Sequence, residues 1–153
     1  MAILERNDKN SVAYILLNSP ETLNSLSDEM LAALTNEFEN LRSDTQIRAV
    51  VLSGAGKAFC AGHNLKEMTR GRNAKDGGKS YFLDLFERCA KMMMLIQKLP
   101  QPVIAKVHGI ATAAGCQLVA TCDLAVAEQS TKFGVNGVNI GLFCSTPMVA
   151  LSR

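Results

Sequence analysis

The chain has 153 residues, 48% of them hydrophobic and 20% charged, which excludes a disordered polymer and is enough for one domain with a real core. Its 16 Lys and Arg and 14 Asp and Glu are interspersed, so the net charge of +2 leaves no basic footprint for DNA or RNA, while a modest positive balance suits an anionic small molecule. Cys60, Cys89, Cys116, Cys122 and Cys144 are odd in number and form no C-x-x-C pair, which argues against a disulfide framework and for reduced thiols acting as small core hydrophobes.

Taken in chain order, residues 1–10 carry Glu5 and Asp8 and no apolar segment of signal-peptide type, and no later run is long enough to span a membrane. A cytoplasmic protein is expected, with the mitochondrial matrix after presequence removal as the alternative. Val12 to Leu17 is a continuous apolar run closed by Asn18, Ser19 and Pro20, the pattern of a buried strand and turn. Ser27 can cap a helix whose first turn holds Asp28 and Glu29. Met30, Leu31, Leu34, Phe38 and Leu41 mark its apolar face.

Ala49 to Ser53 predicts a second buried strand, followed by a crossover and a short helix from Leu65 to Met68. Gly71 to Lys79 is polar and Gly-rich and predicts a mobile surface loop. Tyr81 to Leu99 predicts a long helix with Phe82, Leu85, Phe86, Cys89, Met93 and Ile96 facing inward, ended by Pro100 and Pro102. Val103 to Val107 and Leu124 to Ala127 predict further strands on either side of a helix from Ala114 to Thr121. Strands alternating with helices imply an α/β fold with a largely parallel sheet. At the end, Ser145 or Thr146 supplies an N-cap, Pro147 suits the first helical position, and an apolar face stops at Arg153. A helical remnant of that size cannot bury a face alone, so residues 1–153 are expected to be an incomplete domain or one completed by a partner.

Several chemistries are excluded by what is missing. Gly54 to Lys57 resembles part of a phosphate loop, but Val51 and Ala58 stand where its first Gly and its Ser/Thr belong. His63 and His108 lie at no metal-ligand spacing to Cys or carboxylates, and no G-x-S-x-G elbow exists. Two turns of small residues remain, Ala61-Gly62-His63-Asn64 and Thr112-Ala113-Ala114-Gly115-Cys116, each after a strand. One main-chain N–H from each can converge on a single oxygen, the second aided by the positive end of the helix starting at Ala114. Composition alone favours the plainer reading, that small residues in such turns let helices pack closely on strands.

GKAFCAGHNLKEM and HGIATAAGCQLVATCDLAVA resemble the two signature segments of the crotonase (enoyl-CoA hydratase/isomerase) superfamily. The resemblance runs from SVAYILLNSPETLNSLSDEM through KFGVNGVNIGLFCSTPMVAL, and AAGCQL with GLFCSTP is most similar to the group called enoyl-CoA hydratase domain-containing protein three. It implies a spiral of β-β-α units, here lacking the C-terminal helical trimerisation region, and a homotrimer or hexamer for the full-length chain. It also implies a lyase or isomerase of fatty acid metabolism that binds an acyl-CoA thioester, with coenzyme A as part of the substrate and no separate cofactor. By the same carry-over His63 and Ala114 supply the oxyanion-hole N–H groups. Ala61, Gly62, Asn64, Leu65, Lys66 and Gly115 line or support the substrate side, with Cys144 and Ser145 in the pocket wall, Cys144 as a hydrophobe and Ser145 as a helix cap.

The chain departs from the family's hydratases at both carboxylates. Gln117 and Gly137 stand where those enzymes carry Glu, so neither general acid/base group is present. His63, Gln117, Asn136, Cys144 and Ser145 are the groups that can compensate, and Glu at both positions is expected to raise hydration. The alternatives are a non-catalytic acyl-CoA-binding or regulatory homologue, or a lyase like the family's branched malonyl-CoA decarboxylases, which share A-G-H-D/N.

Overall fold

The computed structural model describes residues 2–152. It contains seven strands, β1 (Leu4–Lys9), β2 (Val12–Leu17), β3 (Ala49–Gly54), β4 (Val103–Val107), β5 (Ile110–Thr112), β6 (Leu124–Ala127) and β7 (Lys132–Gly134). Five helices accompany them, α1 (Asp28–Leu41), α2 (Leu65–Arg72), α3 (Lys79–Gln97), α4 (Ala114–Thr121) and α5 (Ser145–Leu151). One sheet runs β1-β2-β3-β4-β6 and a second pairs β5 with β7. All pairings are parallel except β1 with β2, which are joined through Asn10 and Ser11, both at positive φ (52° and 59°) as a tight hairpin turn requires.

From β4 onward successive strands are dealt alternately to the two sheets, so β4-β5-α4 and β6-β7-α5 are repeats of one β-β-α unit. Isolated bridges Leu26–His63 and Cys60–Ala111 extend the second sheet toward the start of the chain. They supply the short second strand of the earlier units, in which β2 leads through Leu26 to α1 and β3 leads through Cys60 and His63 to α2. The result is the β-β-α spiral, and its second layer consists of the segments that carry the two small-residue turns.

The core lies between the main sheet and helices α1 and α3. Ile15, Leu17, Leu34, Phe38, Leu52 and Leu85 are fully buried in it. Ser27 Oγ accepts the Met30 N–H at 3.1 Å, and Glu67 Oε2 accepts that of Asp28 at 2.9 Å, so a carboxylate from α2 holds the start of α1. Arg88 on α3 reaches Asp28 at 2.6 Å and ties the two long helices together.

The local expectations need correction at several places. Strand β1 was not anticipated because LERNDK carries almost no apolar alternation; it is an edge strand whose pairing partner defines it. Strand β2 is buried on one face only, with Tyr14 44% exposed, so its continuous apolar run overstates its burial. Residues 71–79 are not a long loop: Gly71 and Arg72 complete α2, and α3 begins at Lys79. Gly71 is required there because a Cβ would stand 2.2 Å from the Tyr81 ring, and Asp76 organises the turn by accepting the Gly78 and Ser80 N–H groups at 3.0 and 2.9 Å. Phe86 is 44% exposed instead of buried. Strand β6 is exposed along its whole length, because it ends the sheet. Cys144, not Ser145 or Thr146, is the N-cap of α5; Ser145 is its first residue and Pro147 its third.

Candidate active site

The first turn is held from behind by the segment between β2 and α1. Ala61 N–H donates to Leu23 O at 3.0 Å and Leu26 N–H to Gly62 O at 2.7 Å. Asn24 anchors that segment: its Oδ1 accepts the Ser19 N–H at 2.9 Å, and its Nδ2 donates to Ala55 O and Ala58 O, both at 2.8 Å. The second turn is fixed by Thr112 N–H to Cys60 O (3.0 Å) and Ala113 N–H to Gly134 O (2.8 Å). Ala113 takes φ 51° and ψ −124°, a glycine-type conformation that holds the chain as it turns into α4.

The two turns touch. A Cβ placed on Gly62, which has φ +89°, would stand 3.1 Å from Ala113 Cβ and 3.3 Å from the Ala114 nitrogen. One on Gly115 would stand 2.2 Å from Cys60 O. Both glycines therefore exist to allow backbone to meet backbone. Neither His63 N–H nor Ala114 N–H has a hydrogen-bond partner among the described residues, whereas Ala61, Thr112 and Ala113 N–H groups in the same turns are engaged.

Both turns border a cavity of about 430 Å³. Of the residues expected at the site, Ala61, His63, Leu65, Ala114, Cys144 and Ser145 line it, as does Gly137. Gly62 and Gly115 lie behind the wall in the packing contacts just described. Asn64 accepts the Lys66 and Glu67 N–H groups at 3.0 and 3.4 Å as the N-cap of α2, and Lys66 is exposed. Replacing Asn64 with Ala is expected to cost about 1 kcal/mol through loss of this cap, read as a lower midpoint in denaturant with an unchanged slope. Gln117 is buried on α4, does not line the cavity, and leaves its Oε1 without a partner.

Sequence reasoning missed the apolar wall, formed by Met68, Phe86, Leu142 and Phe143, together with polar Asn139, while Thr112 of the second turn and Asn136 also line the cavity. The signal for the first two was present in the helical spacing of α2 and α3; for the others it was the Leu-Phe pair after Gly141, left 51% and 70% exposed. Thr112 Oγ1 donates to Asn136 Oδ1, linking the second turn to the segment after β7.

Among the described residues the cavity wall includes no Asp, Glu, Lys or Arg, and its ionisable side chains are His63 and Cys144. Burial pushes the His63 imidazole below its ordinary pKa and so favours the neutral ring. Burial also raises the Cys60 thiol to about 12 and that of Cys89 to about 11, so both stay protonated near neutrality and behave as core hydrophobes. Among the described residues no group of His, Cys, Asp and Glu is arranged to hold a metal ion.

A β-β-α spiral whose second layer presents two touching turns at an apolar cavity defines the crotonase class of fold. A family model described as enoyl-CoA hydratase/isomerase matches residues 7–151, and the chain belongs to that family. It is 48% identical over 145 residues to the mitochondrial enoyl-CoA hydratase domain-containing protein 3 of Xenopus laevis, covering 95% of this chain and 48% of that protein. It is also similar to the crystal structure of an enoyl-CoA hydratase from Mycobacterium smegmatis (TM-score 0.91, 56% identity, 99% of this chain and 57% of that one). The crystal structure of human enoyl-CoA hydratase domain-containing protein 3 matches with a TM-score of 0.90 at 41% identity, over 99% of this chain and 58% of that one. The chain thus spans about half the length of these relatives.

Proposed function

We propose that the chain binds an acyl-CoA thioester, with coenzyme A as part of the substrate, and polarises its carbonyl between the N–H groups of His63 and Ala114. The observation that carries this reading is two turns in backbone contact, with the N–H groups of His63 and Ala114 unpartnered, at the wall of an apolar cavity. Each such donor contributes about 3 kcal/mol of transition-state stabilisation, because negative charge grows on the thioester oxygen as the acyl group becomes enolate-like. Ala114 adds the positive end of α4. The test is the carbonyl stretch of a ¹³C-labelled acyl-CoA bound to the full-length protein. A shift to lower frequency on binding is expected, and binding without a shift defeats the oxyanion hole.

Hydration of the ordinary family kind is not the reaction we assign. The amide of Gln117 cannot serve as a carboxylate base and Gly137 offers no side chain. The geometry also revises the expectation for Glu at both positions. A Cβ on Gly137 would stand 2.6 Å from Cys144 Sγ and 2.7 Å from Leu142 O, so a Glu there must displace the segment that forms the cavity wall. We therefore expect wild-type crotonyl-CoA hydration, followed by loss of enoyl-thioester absorbance, to lie at least about 100-fold below that of a relative with both Glu, and Gln117→Glu/Gly137→Glu not to restore it. The closed space at Gly137 favours one second reading, a non-catalytic acyl-CoA-binding homologue, which calorimetric binding without turnover of any acyl-CoA would support.

We further propose that the full-length chain forms a homotrimer or hexamer. Leu124, Val126 and Phe133 leave an apolar face 50–64% exposed, which supports burial against further protein, and light scattering tests it. No helix among the described residues is long and apolar enough to cross a membrane. The name of the Xenopus laevis relative says mitochondrial, which supports the matrix over the cytoplasm for this chain.

A further inference from the structure

We propose that His63 is the proton-transfer group of the cavity as well as one of its amide donors, its Nε2 removing a proton from the carbon next to the bound thioester carbonyl. The inference rests on the acyl-CoA reading above and assigns the acid/base role that the replaced carboxylates leave open. Its first support is the composition of the wall, where His63 and Cys144 are the ionisable side chains among the described residues and the imidazole is the one nitrogen base.

Its second support is geometry. The His63 ring packs edge-on against Phe86 on α3, with centroids 5.8 Å apart and planes at 76°, which fixes its orientation at the cavity wall. Nδ1 is sealed from solvent, so Nε2 is the nitrogen a ligand can reach. An imidazolium would need partners for two N–H groups, one of them at the sealed Nδ1, whereas a neutral ring needs only one. Burial with Nδ1 sealed thus favours the neutral ring, which can accept a proton at Nε2.

The charges around it do not reverse that state. Burial is the largest influence; the Leu26 backbone and Asp28 on α1 favour a protonated ring, Arg88 on α3 disfavours it, and Asp28 and Arg88 are paired with each other at 2.6 Å. Glu67 on α2 is engaged with the Asp28 N–H, and the Cys60 thiol in the same loop stays protonated. Cys144 faces the cavity from the start of α5.

The step balances without a co-reactant. The C–H bond breaks, its electron pair forms a double bond to the carbonyl carbon, and the carbonyl π pair moves onto the oxygen held by the two N–H groups. The proton resides on Nε2 and returns to the same carbon as exchange, or to the γ carbon of an unsaturated chain as a double-bond shift.

The experiment follows α-deuterium uptake from D₂O into butyryl-CoA by mass spectrometry, with binding measured by calorimetry, for the full-length wild type, His63→Ala and His63→Gln. Every variant keeps the N–H at position 63. Comparable binding is expected throughout, with uptake at least about 100-fold slower in both variants. Free imidazole should restore part of the rate in His63→Ala, where it leaves a space, and not in His63→Gln. The wild-type rate should rise with pH to a plateau, with its midpoint below the ordinary histidine value of 6.5. Binding with no uptake by the wild type, or equal uptake by wild type and His63→Gln, overturns the role of His63 while leaving the acyl-CoA reading intact. Absence of binding by the wild type overturns that reading itself.

Discussion

Gly115→Ala is expected to lower stability by about 3 kcal/mol and to abolish acyl-CoA binding, measured by denaturant unfolding and calorimetry. The sign is the informative part. Within a helix, Ala is intrinsically favoured over Gly by about 1 kcal/mol, so local propensity on its own predicts a gain. The new Cβ, however, would stand 2.2 Å from Cys60 O and 2.8 Å from the carbonyl carbon behind it. Backbone in a sheet bridge cannot rotate away as a side chain can, and Cys60 O is already engaged with the Thr112 N–H at 3.0 Å. The two turns would have to separate, carrying the N–H groups of His63 and Ala114 apart. A stabilised Gly115→Ala protein would show that the turns do not touch.

Asn24→Ala is the second large effect, again about 3 kcal/mol or more. Asn24 is fully buried, and truncation leaves the Ser19 N–H and the Ala55 and Ala58 carbonyls without their partner, each costing about 1–3 kcal/mol. Its φ of 53° adds to the loss, because Asn tolerates the left-handed region better than Ala. Asn24→Asp should fare no better, since it turns two donors into an acceptor facing two carbonyl oxygens. Ligand affinity should fall with stability, since Leu23 and Leu26 in the same segment hold the first turn in place. Full stability in Asn24→Ala would mean that water or a rearranged loop satisfies these groups.

Much of this molecule is legible in its sequence. The capped helix from Asp28, the helix from Ala114 to Thr121 and the four principal strands follow from apolar spacing, because each is decided by residues within a turn or two of one another. Strands β1, β5 and β7 were not legible: one Leu followed by five polar residues in the first case and three residues in each of the others carry no period, and they are strands only because a partner lies alongside. Asn24 gave no local sign of its role, since all three of its bonds join segments distant in sequence or close a loop that those segments hold.

The site divides in the same way. The residue types at Gly62, His63, Ala114 and Gly115, and the replacement of carboxylates by Gln117 and Gly137, were decided by the sequence, because small size and missing charge are properties of the residues themselves. Which of them meet was decided by the tertiary structure, where the β-β-α spiral sets the turn after β3 against the turn after β5. It also closed the space at Gly137, turned Gln117 away from the cavity wall and enclosed the His63 ring against Phe86. Those outcomes depend on contacts between residues far apart along the chain, and no local pattern encodes a distance of that kind.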